Sequence, residues 1–213
     1  MVKRAYGQYC GFARALEVVG ERWALMIVRD LLVGSKRFSD LLRGLPGIPT
    51  NILTARLKEL EEAGIVQRRA VPRPGSGVAY ELTDAGSALE ATVLALGRWG
   101  AERLDTPREG EIVTDDSLAM ALRTTFRPEA AGKSKASYVV RAGNVEIHAI
   151  VQDGNVKVGR GALPDPDLII ESGPALRALL AGETAPEEAL RKKLVRIQGD
   201  PRLLDRFVRI FRI

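Results

Sequence analysis

Apolar residues recur at helical spacing from the start of the chain. Phe12, Ala15, Leu16 and Val19 mark a short helix ended by Gly20, and residues 23–32 form a second that stops at Gly34. Ser35 stands at the N-cap region of a third helix, in which Phe38, Leu41 and Leu42 face inward. Leu45-Pro46-Gly47-Ile48-Pro49 is a tight turn, because Pro and Gly together forbid helix continuation. A fourth helix over 50–63 puts Ile52 or Leu53, Leu57 and Leu60 on its apolar side, and Gly64 closes it. Residues 65–71 and 78–82 read as strands joined by the hairpin tip Pro72-Arg73-Pro74-Gly75-Ser76-Gly77. Thr83 and Asp84 cap a long helix to about residue 104, with Leu89, Val93 and Leu96 as its apolar stripe.

The pattern changes beyond residue 105. Residues 105–114 are polar, carry Pro107 and Gly110, and resemble a linker. Asp115 and Asp116 open a helix ending near Phe126, and a polar loop over 130–137 follows. Alternating segments at 138–141, 145–151, 156–158 and 168–171 read as strands. The turns Ala142-Gly143-Asn144 and Asp153-Gly154-Asn155 have hairpin chemistry, which predicts antiparallel pairing. Short helices at 174–180 and 187–192, a strand at 193–198 and a final helix at 201–211 complete the chain. The predicted class is α+β: residues 1–104, a linker, and a second domain over 115–213 with a mainly antiparallel sheet.

Composition narrows the function. At 213 residues and 46% hydrophobic content the chain can bury ordinary cores, and no apolar run reaches the roughly 18 residues that a membrane span needs. A soluble, cytoplasmic protein without membrane contact is expected. With one cysteine, Cys10, and one histidine, His148, Cys/His zinc clusters are excluded, and neither metal nor cofactor is expected. The formal charge is +5, and residues 1–83 hold all of it, with 13 Lys/Arg against 8 Asp/Glu. A basic first domain beside a neutral second one points to nucleic acid for the former.

Helix, Gly-containing turn, helix and a two-stranded hairpin with a basic tip make a winged helix-turn-helix, expected to bind double-stranded DNA. The fourth helix fits a major groove if its outer side is short and polar. Thr50, Asn51, Thr54, Ala55 and Lys58 fall on that side. Asn51 can read adenine through its amide, Thr54 can bond a base or pack on a thymine methyl, and Lys58 suits phosphate. Arg68, Arg69 and Arg73 lie on the hairpin, for the minor groove or backbone, and Ser35, Lys36 and Arg37 offer phosphate contacts ahead of the third helix. Plainer roles compete. Lys58 can pair with Glu62, Arg56 with Glu59 or Glu61, Arg37 can pack by its stem, and winged helices also serve as protein-interaction modules.

Five blocks in order, Cys10-Gly11-Phe12-Ala13-Arg14-Ala15-Leu16, Gly20-Glu21-Arg22-Trp23, Arg37-Phe38-Ser39-Asp40-Leu41, Gly47-Ile48 and Leu53-Thr54-Ala55-Arg56-Leu57, resemble the HxlR-type branch of MarR-like bacterial regulators over about residues 5–104. The resemblance implies a homodimeric repressor or activator whose terminal helices build the dimer. Pro49 departs from the pattern, standing where the family usually offers a Ser-like cap followed by Pro, so Thr50 is expected to take over the capping. Dimerisation also suits readout, since a two-fold pair on a palindrome doubles the base contacts. The helix over 84–104 and the Phe12 helix are the expected partners. Trp99 either anchors that interface or fills the monomer core. Cys10 matches a cysteine that some members of the similar family use as an electrophile or oxidant sensor, and Arg14 can stabilise its thiolate; the competing reading is a small buried hydrophobe.

Nothing after residue 105 reads as catalytic. There is no GxSxG, Gly159-Arg160-Gly161 lacks the third glycine and the helix context of a phosphate loop, and His148 is structural or at the surface. Residues 167–172, the Leu176–Leu180 helix with Ala181-Gly182-Glu183, and residues 195–200 resemble the sterol carrier protein type 2 fold. That resemblance implies an apolar tunnel for a hydrophobic small molecule or lipid, with Leu118, Leu122, Phe126, Ile147, Ala149, Ile169, Leu179 and Phe207 as candidate lining; the alternative for each is plain core. The reading is a dimeric transcription regulator whose second domain senses a hydrophobic ligand, occupancy repacking the 105–114 junction and respacing the recognition helices. The alternatives are a constitutive DNA binder whose second domain only oligomerises, and an enzyme on an acyl or sterol substrate.

Overall fold

The computed structural model describes residues 5–71, 77–105 and 107–213. The hairpin tip over 72–76, and with it Arg73, lies outside them. The described chain forms two compact units, Met1–Val93 and Leu94–Ile213.

In the first unit α1 (Gly11–Val19), α2 (Ala24–Val33), α3 (Phe38–Gly44) and α4 (Thr50–Glu62) enclose a core of Ile27, Leu31, Leu41, Leu45, Leu53, Leu57 and Leu60, each at most 4% exposed. The three-stranded sheet has β3 (Gly77–Leu82) between β1 (Lys36–Arg37) and β2 (Val66–Val71), all antiparallel. Gly64, at φ +71°, ends α4 in a left-handed residue that glycine adopts without a Cβ penalty. The Ile65 amide then bonds the Leu60 carbonyl at 2.9 Å and turns the chain into β2.

Several expectations change here. Phe12 and Ala15 point outward on α1; Ala13 and Val19 are its buried residues. Ser35 does not cap α3. Residues 36–37 pair instead with β3, and Arg37 is the cap residue, its amide donating to Asp40 Oδ2 at 3.0 Å. Pro49 occupies the cap of α4 and Thr50 is its first helical residue, so Thr50 does not take over the capping. The single long helix from Thr83 is two, α5 (Asp84–Ser87) and α6 (Glu90–Ala101). The Leu89 amide reaches back only to Gly86 O, a tightened turn that separates them. Gly86 sits against β2's approach: a Cβ there would lie 2.1 Å from Ile65 O.

The second unit is a five-stranded sheet in the order β6-β5-β4-β7-β8. A meander of β4 (Lys135–Ala142), β5 (Val145–Gln152) and β6 (Asn155–Arg160) is followed by β7 (Leu168–Ser172) and β8 (Val195–Gly199). All neighbours are antiparallel except β4 and β7, which run parallel with Val139 opposite Ile169. The loop expected over 130–137 instead contains the end of α8 (Pro128–Ala131) and the first residues of β4. The other helices are α7 (Asp115–Thr125), capped by Thr114, α9 (Ala175–Ala181), α10 (Pro186–Arg191) and α11 (Pro201–Ile210). α7 packs on β5 and β6. From α11, Phe207 stacks at 5.1 Å on Tyr138 of β4, and Phe211 follows at 4.7 Å from Phe207. Of the eight candidate tunnel residues, Leu118, Leu122, Ile147, Ala149, Leu179 and Phe207 are at most 4% exposed, while Phe126 and Ile169 are half-buried. The six buried residues lie in the interior of this unit. His148 Nδ1–H donates to Gly161 O at 2.9 Å and its ring packs over Gly159, a structural contact between β5 and β6. Among the described residues no helix is long and apolar enough to cross a membrane.

Candidate nucleic-acid interface

The outward side of α4 follows from its own periodicity. Leu53, Leu57 and Leu60 are at most 2% exposed and fix the helix roll, which leaves Thr50, Asn51, Thr54 and Lys58 exposed and Ala55 half-buried. Thr54 Oγ1 donates to Thr50 O at 2.9 Å, which uses its proton and leaves the hydroxyl oxygen free to accept. Arg56 reaches from α4 to Glu21 of the turn between α1 and α2, Nη2 to Oε2 at 3.6 Å, and also pairs with Glu59. That tie sets the amino end of α4 beside Trp23, whose φ of +81° is an unusual conformation for an aromatic residue. Lys58 forms the plain surface pair with Glu62 at 3.8 Å, both about two-thirds exposed, a contact of little energetic weight.

The hairpin places its arginines alongside α4's carboxyl end. Arg68 Nε lies 3.0 Å from Glu61 Oε1 and its guanidinium sits 5.8 Å from the Tyr80 ring centre. Arg69 Nη1 is 3.5 Å from Glu81 Oε2, and Gln67 Nε2 donates to the other oxygen of Glu81 at 2.9 Å. Gln67, Arg68, Arg69 and Ala70 are all exposed, so β2 projects as a cationic ribbon with only Val66 anchored in the core. Ser35 is exposed and Arg37 half-buried, but Lys36 is 4% exposed. The β1–β3 pairing turns Lys36 inward opposite Tyr80, which removes it from the phosphate-facing set.

The carboxylates Glu61 and Glu81, and Tyr80 beneath Arg68, are the parts of this surface that residue-type reasoning missed. The hairpin register carries the signal, since Gln67 pairs across with Glu81 and Arg69 sits two residues further along the same face. Cys10 is exposed at the N-cap position of α1, not buried. The Ala13 and then the Phe12 amide hold its thiol below the usual cysteine range, while Arg14 pairs with Glu17 at 2.7 Å instead of facing it. Trp99 is 57% exposed, which settles it as a surface residue rather than core; Arg103 stacks on its ring at 4.0 Å.

The family model for HxlR-like helix-turn-helix proteins matches residues 18–108. The HTH-type transcriptional regulator YvaP of Bacillus subtilis is 38% identical over 94 residues, which cover 44% of this chain and 87% of YvaP. The chain belongs to the HxlR-like family. A second relative, the HTH-type transcriptional regulator Rv3095 of Mycobacterium tuberculosis, is 44% identical over 94 residues, covering 44% of this chain and 59% of that protein. YodB of Bacillus subtilis, also an HTH-type transcriptional regulator, is 38% identical over 85 residues, 40% of this chain and 76% of its own. The HxlR-like match ends at residue 108, so most of the second unit lies beyond it.

Proposed function

We propose that this protein is a homodimeric, sequence-specific DNA-binding transcriptional regulator that sets α4 of each protomer in successive major grooves of an inverted repeat. The observation that carries the reading is the exposed Thr50, Asn51 and Thr54 on a helix whose opposite side is locked by Leu53, Leu57 and Leu60, beside the arginines of β2. Family membership and the names of the relatives support it. Asn51 reads a base edge, Thr54 bonds or packs on a neighbour, and Lys58, Arg68, Arg69, Ser35 and Arg37 meet phosphates, with Arg73 assigned on its place in the sequence alone. The apolar side chains left exposed on the amino-terminal segment and α1 (Tyr6, Tyr9, Phe12) and on and just after α6 (Leu96, Trp99, Leu104) supply the dimer surface.

Selection of duplexes from a random pool by the full-length protein tests this. The expected product is an inverted repeat with half-sites one helical turn apart, bound by two chains. Asn51→Ala weakens the selected site by about 1–3 kcal/mol and leaves non-specific binding unchanged. Selection without a consensus, or equal loss on both DNAs, overturns the reading.

For residues 115–213 the element order supports a sterol-carrier-like module that takes a hydrophobic ligand and biases operator binding. The burial of six of the eight candidate lining residues favours a second reading, in which this domain oligomerises without a ligand. Native mass spectrometry separates them: a co-purified apolar mass that dissociates on denaturation favours the first, a bare higher oligomer the second.

A further inference from the structure

The second unit carries a cationic cleft that the DNA-binding reading does not use. Its volume is about 310 Å³, and Arg206 and Arg209 of α11 line it with Ala130 and Ser134. α11 is sharply two-sided. Leu204, Phe207, Val208 and Ile210 are buried, while Arg202, Arg206 and Arg209 occupy the polar side. The aromatic packing of Phe207 on Tyr138 fixes the helix roll, so the two arginines face the cleft one turn apart.

Arg206 and Arg209 share the lack of an ion pair with Arg127, Arg191, Arg196 and Arg212 of this unit, and what sets the two apart is their common place on one cleft. In the same unit Arg141 pairs with Glu146 and Glu171, Arg160 with Asp116, Arg177 with Glu183, and Arg202 with Asp200. Among the described residues neither Arg206 nor Arg209 has a carboxylate within ion-pair distance, although Asp205 stands on α11 itself and Glu129 on α8. Arg209, in the last turn of α11, has a sufficient local reason in the helix dipole. Arg206 does not: it is half-buried and one turn further in, and its charge is close enough to oppose the upward push that burial gives the Tyr138 phenol. Two like charges one helical turn apart on a concave surface, Arg206 half-buried and Arg209 exposed, repel each other, and an anion between them removes that repulsion. The Ser134 hydroxyl donates to Ala131 O, so it shapes the wall and recognition falls to the guanidinium forks.

We propose that this cleft is a binding site for a small phosphoryl-bearing anion, gripped by Arg206 and Arg209. A phosphoryl group presents enough charge and enough acceptor oxygens for both planar forks at once, which a single carboxylate does not. The site is independent of α4 and the hairpin.

Titration calorimetry of the full-length protein with inorganic pyrophosphate, at ionic strength held constant with potassium chloride, tests the assignment. One saturable site per chain is expected. Arg206→Gln and Arg209→Gln each weaken it at least tenfold with an unchanged circular dichroism spectrum, since neither side chain makes an ion pair. Arg206→Lys, which keeps the charge and loses the fork, weakens it severalfold. Arg196→Gln, an exposed charge on β8, and the double variant Arg68→Gln/Arg69→Gln leave it intact. No saturable binding to the wild type overturns the proposal, as does binding that survives both α11 variants or falls equally with Arg196→Gln. If the α11 variants weaken duplex DNA and not pyrophosphate, the arginines are nucleic-acid contacts and the proposal fails.

Discussion

Glu81→Gln is expected to tighten DNA binding. In the free protein Arg69 Nη1 lies 3.5 Å from Glu81 Oε2, with the two side chains 63% and 27% exposed. Coulomb attraction at that distance in a water-like dielectric is about 1 kcal/mol, and measured exposed pairs fall at about 0.2–1 kcal/mol. A phosphate that recruits Arg69 must first displace Glu81, so the wild type forfeits up to about 1 kcal/mol per hairpin, a factor of about five. Both hairpins of a dimer contribute, so affinity should rise up to about 25-fold. The slope of log affinity against log salt should steepen by about 0.9 for each Arg69 released to phosphate. Glutamine retains an oxygen for the Gln67 Nε2 bond, so stability should change by less than about 1 kcal/mol. Fluorescence anisotropy with a labelled operator between about 50 and 200 mM salt reads both quantities. Glu187→Gln, on α10 of the second unit, makes the same change in net charge without altering any residue of the hairpin. An unchanged slope, or an equal gain from Glu187→Gln, refutes the assignment of Arg69 to phosphate.

Three further outcomes follow from packing and charge. Leu57→Ala removes a side chain 2% exposed between α4 and the core; a loss of about 2–5 kcal/mol in urea unfolding is expected, and less than about 1 kcal/mol would mean that α4 is not anchored there. Trp99→Asp should raise the dimer dissociation constant at least about 30-fold in sedimentation equilibrium, an effect of about 2 kcal/mol, while circular dichroism stays unchanged because the ring is already solvated; an unaltered dimer removes α6 from the interface. Asp167 accepts from the Ser137 hydroxyl and amide, both at 2.7 Å, and these bonds hold its carboxyl below the usual range. A carboxyl lowered on folding adds stability above its unfolded pKa and loses it as pH falls through the ordinary carboxylate range towards the folded value. Ser137→Ala should therefore cost stability at neutral pH and flatten its loss on acidification; parallel pH–stability curves for the two proteins would refute that role.

What the sequence made legible was local. The apolar side of α4, the stop at Gly64 and the two hairpins around Gly143 and Gly154 each depend on residues within a few positions, and periodicity and turn chemistry suffice for them. What it hid was non-local. Residues 36–37 pair with β3 some forty positions away, which converts an expected cap into a strand and turns Lys36 inward. The break between α5 and α6 follows from the fit of Gly86 against the Ile65 carbonyl, invisible to a stripe of Leu89, Val93 and Leu96. The parallel β4–β7 pairing closes over the intervening meander and has no turn signature. On α1 the apolar residues outnumber the space for them. Ala13 and Val19 take the core while Phe12 stays outside, so spacing alone misassigned the inner face.

The same outward residues bear on how the proposed DNA contact must be made. Of the cations on the described interface, Arg68, Arg69 and Lys58 are each engaged by a carboxylate of the same protomer, Glu61, Glu81 and Glu62. Each phosphate contact is thus an exchange of one partner for another, and its net contribution is smaller than that of a free cation. One protomer with few base contacts and compensated cations binds weakly, and two on one duplex roughly add their free energies. On the proposed reading, occupancy of an operator then depends on whether the second copy is present, so a change in the apolar surface around Trp99 should alter DNA binding as well as dimerisation. By linkage the operator must strengthen the dimer by the same factor by which dimerisation strengthens the operator complex. On that reading the exposed tryptophan on α6 and the short polar helix face on α4 act in one linked equilibrium, and Trp99→Asp should weaken operator binding without touching α4.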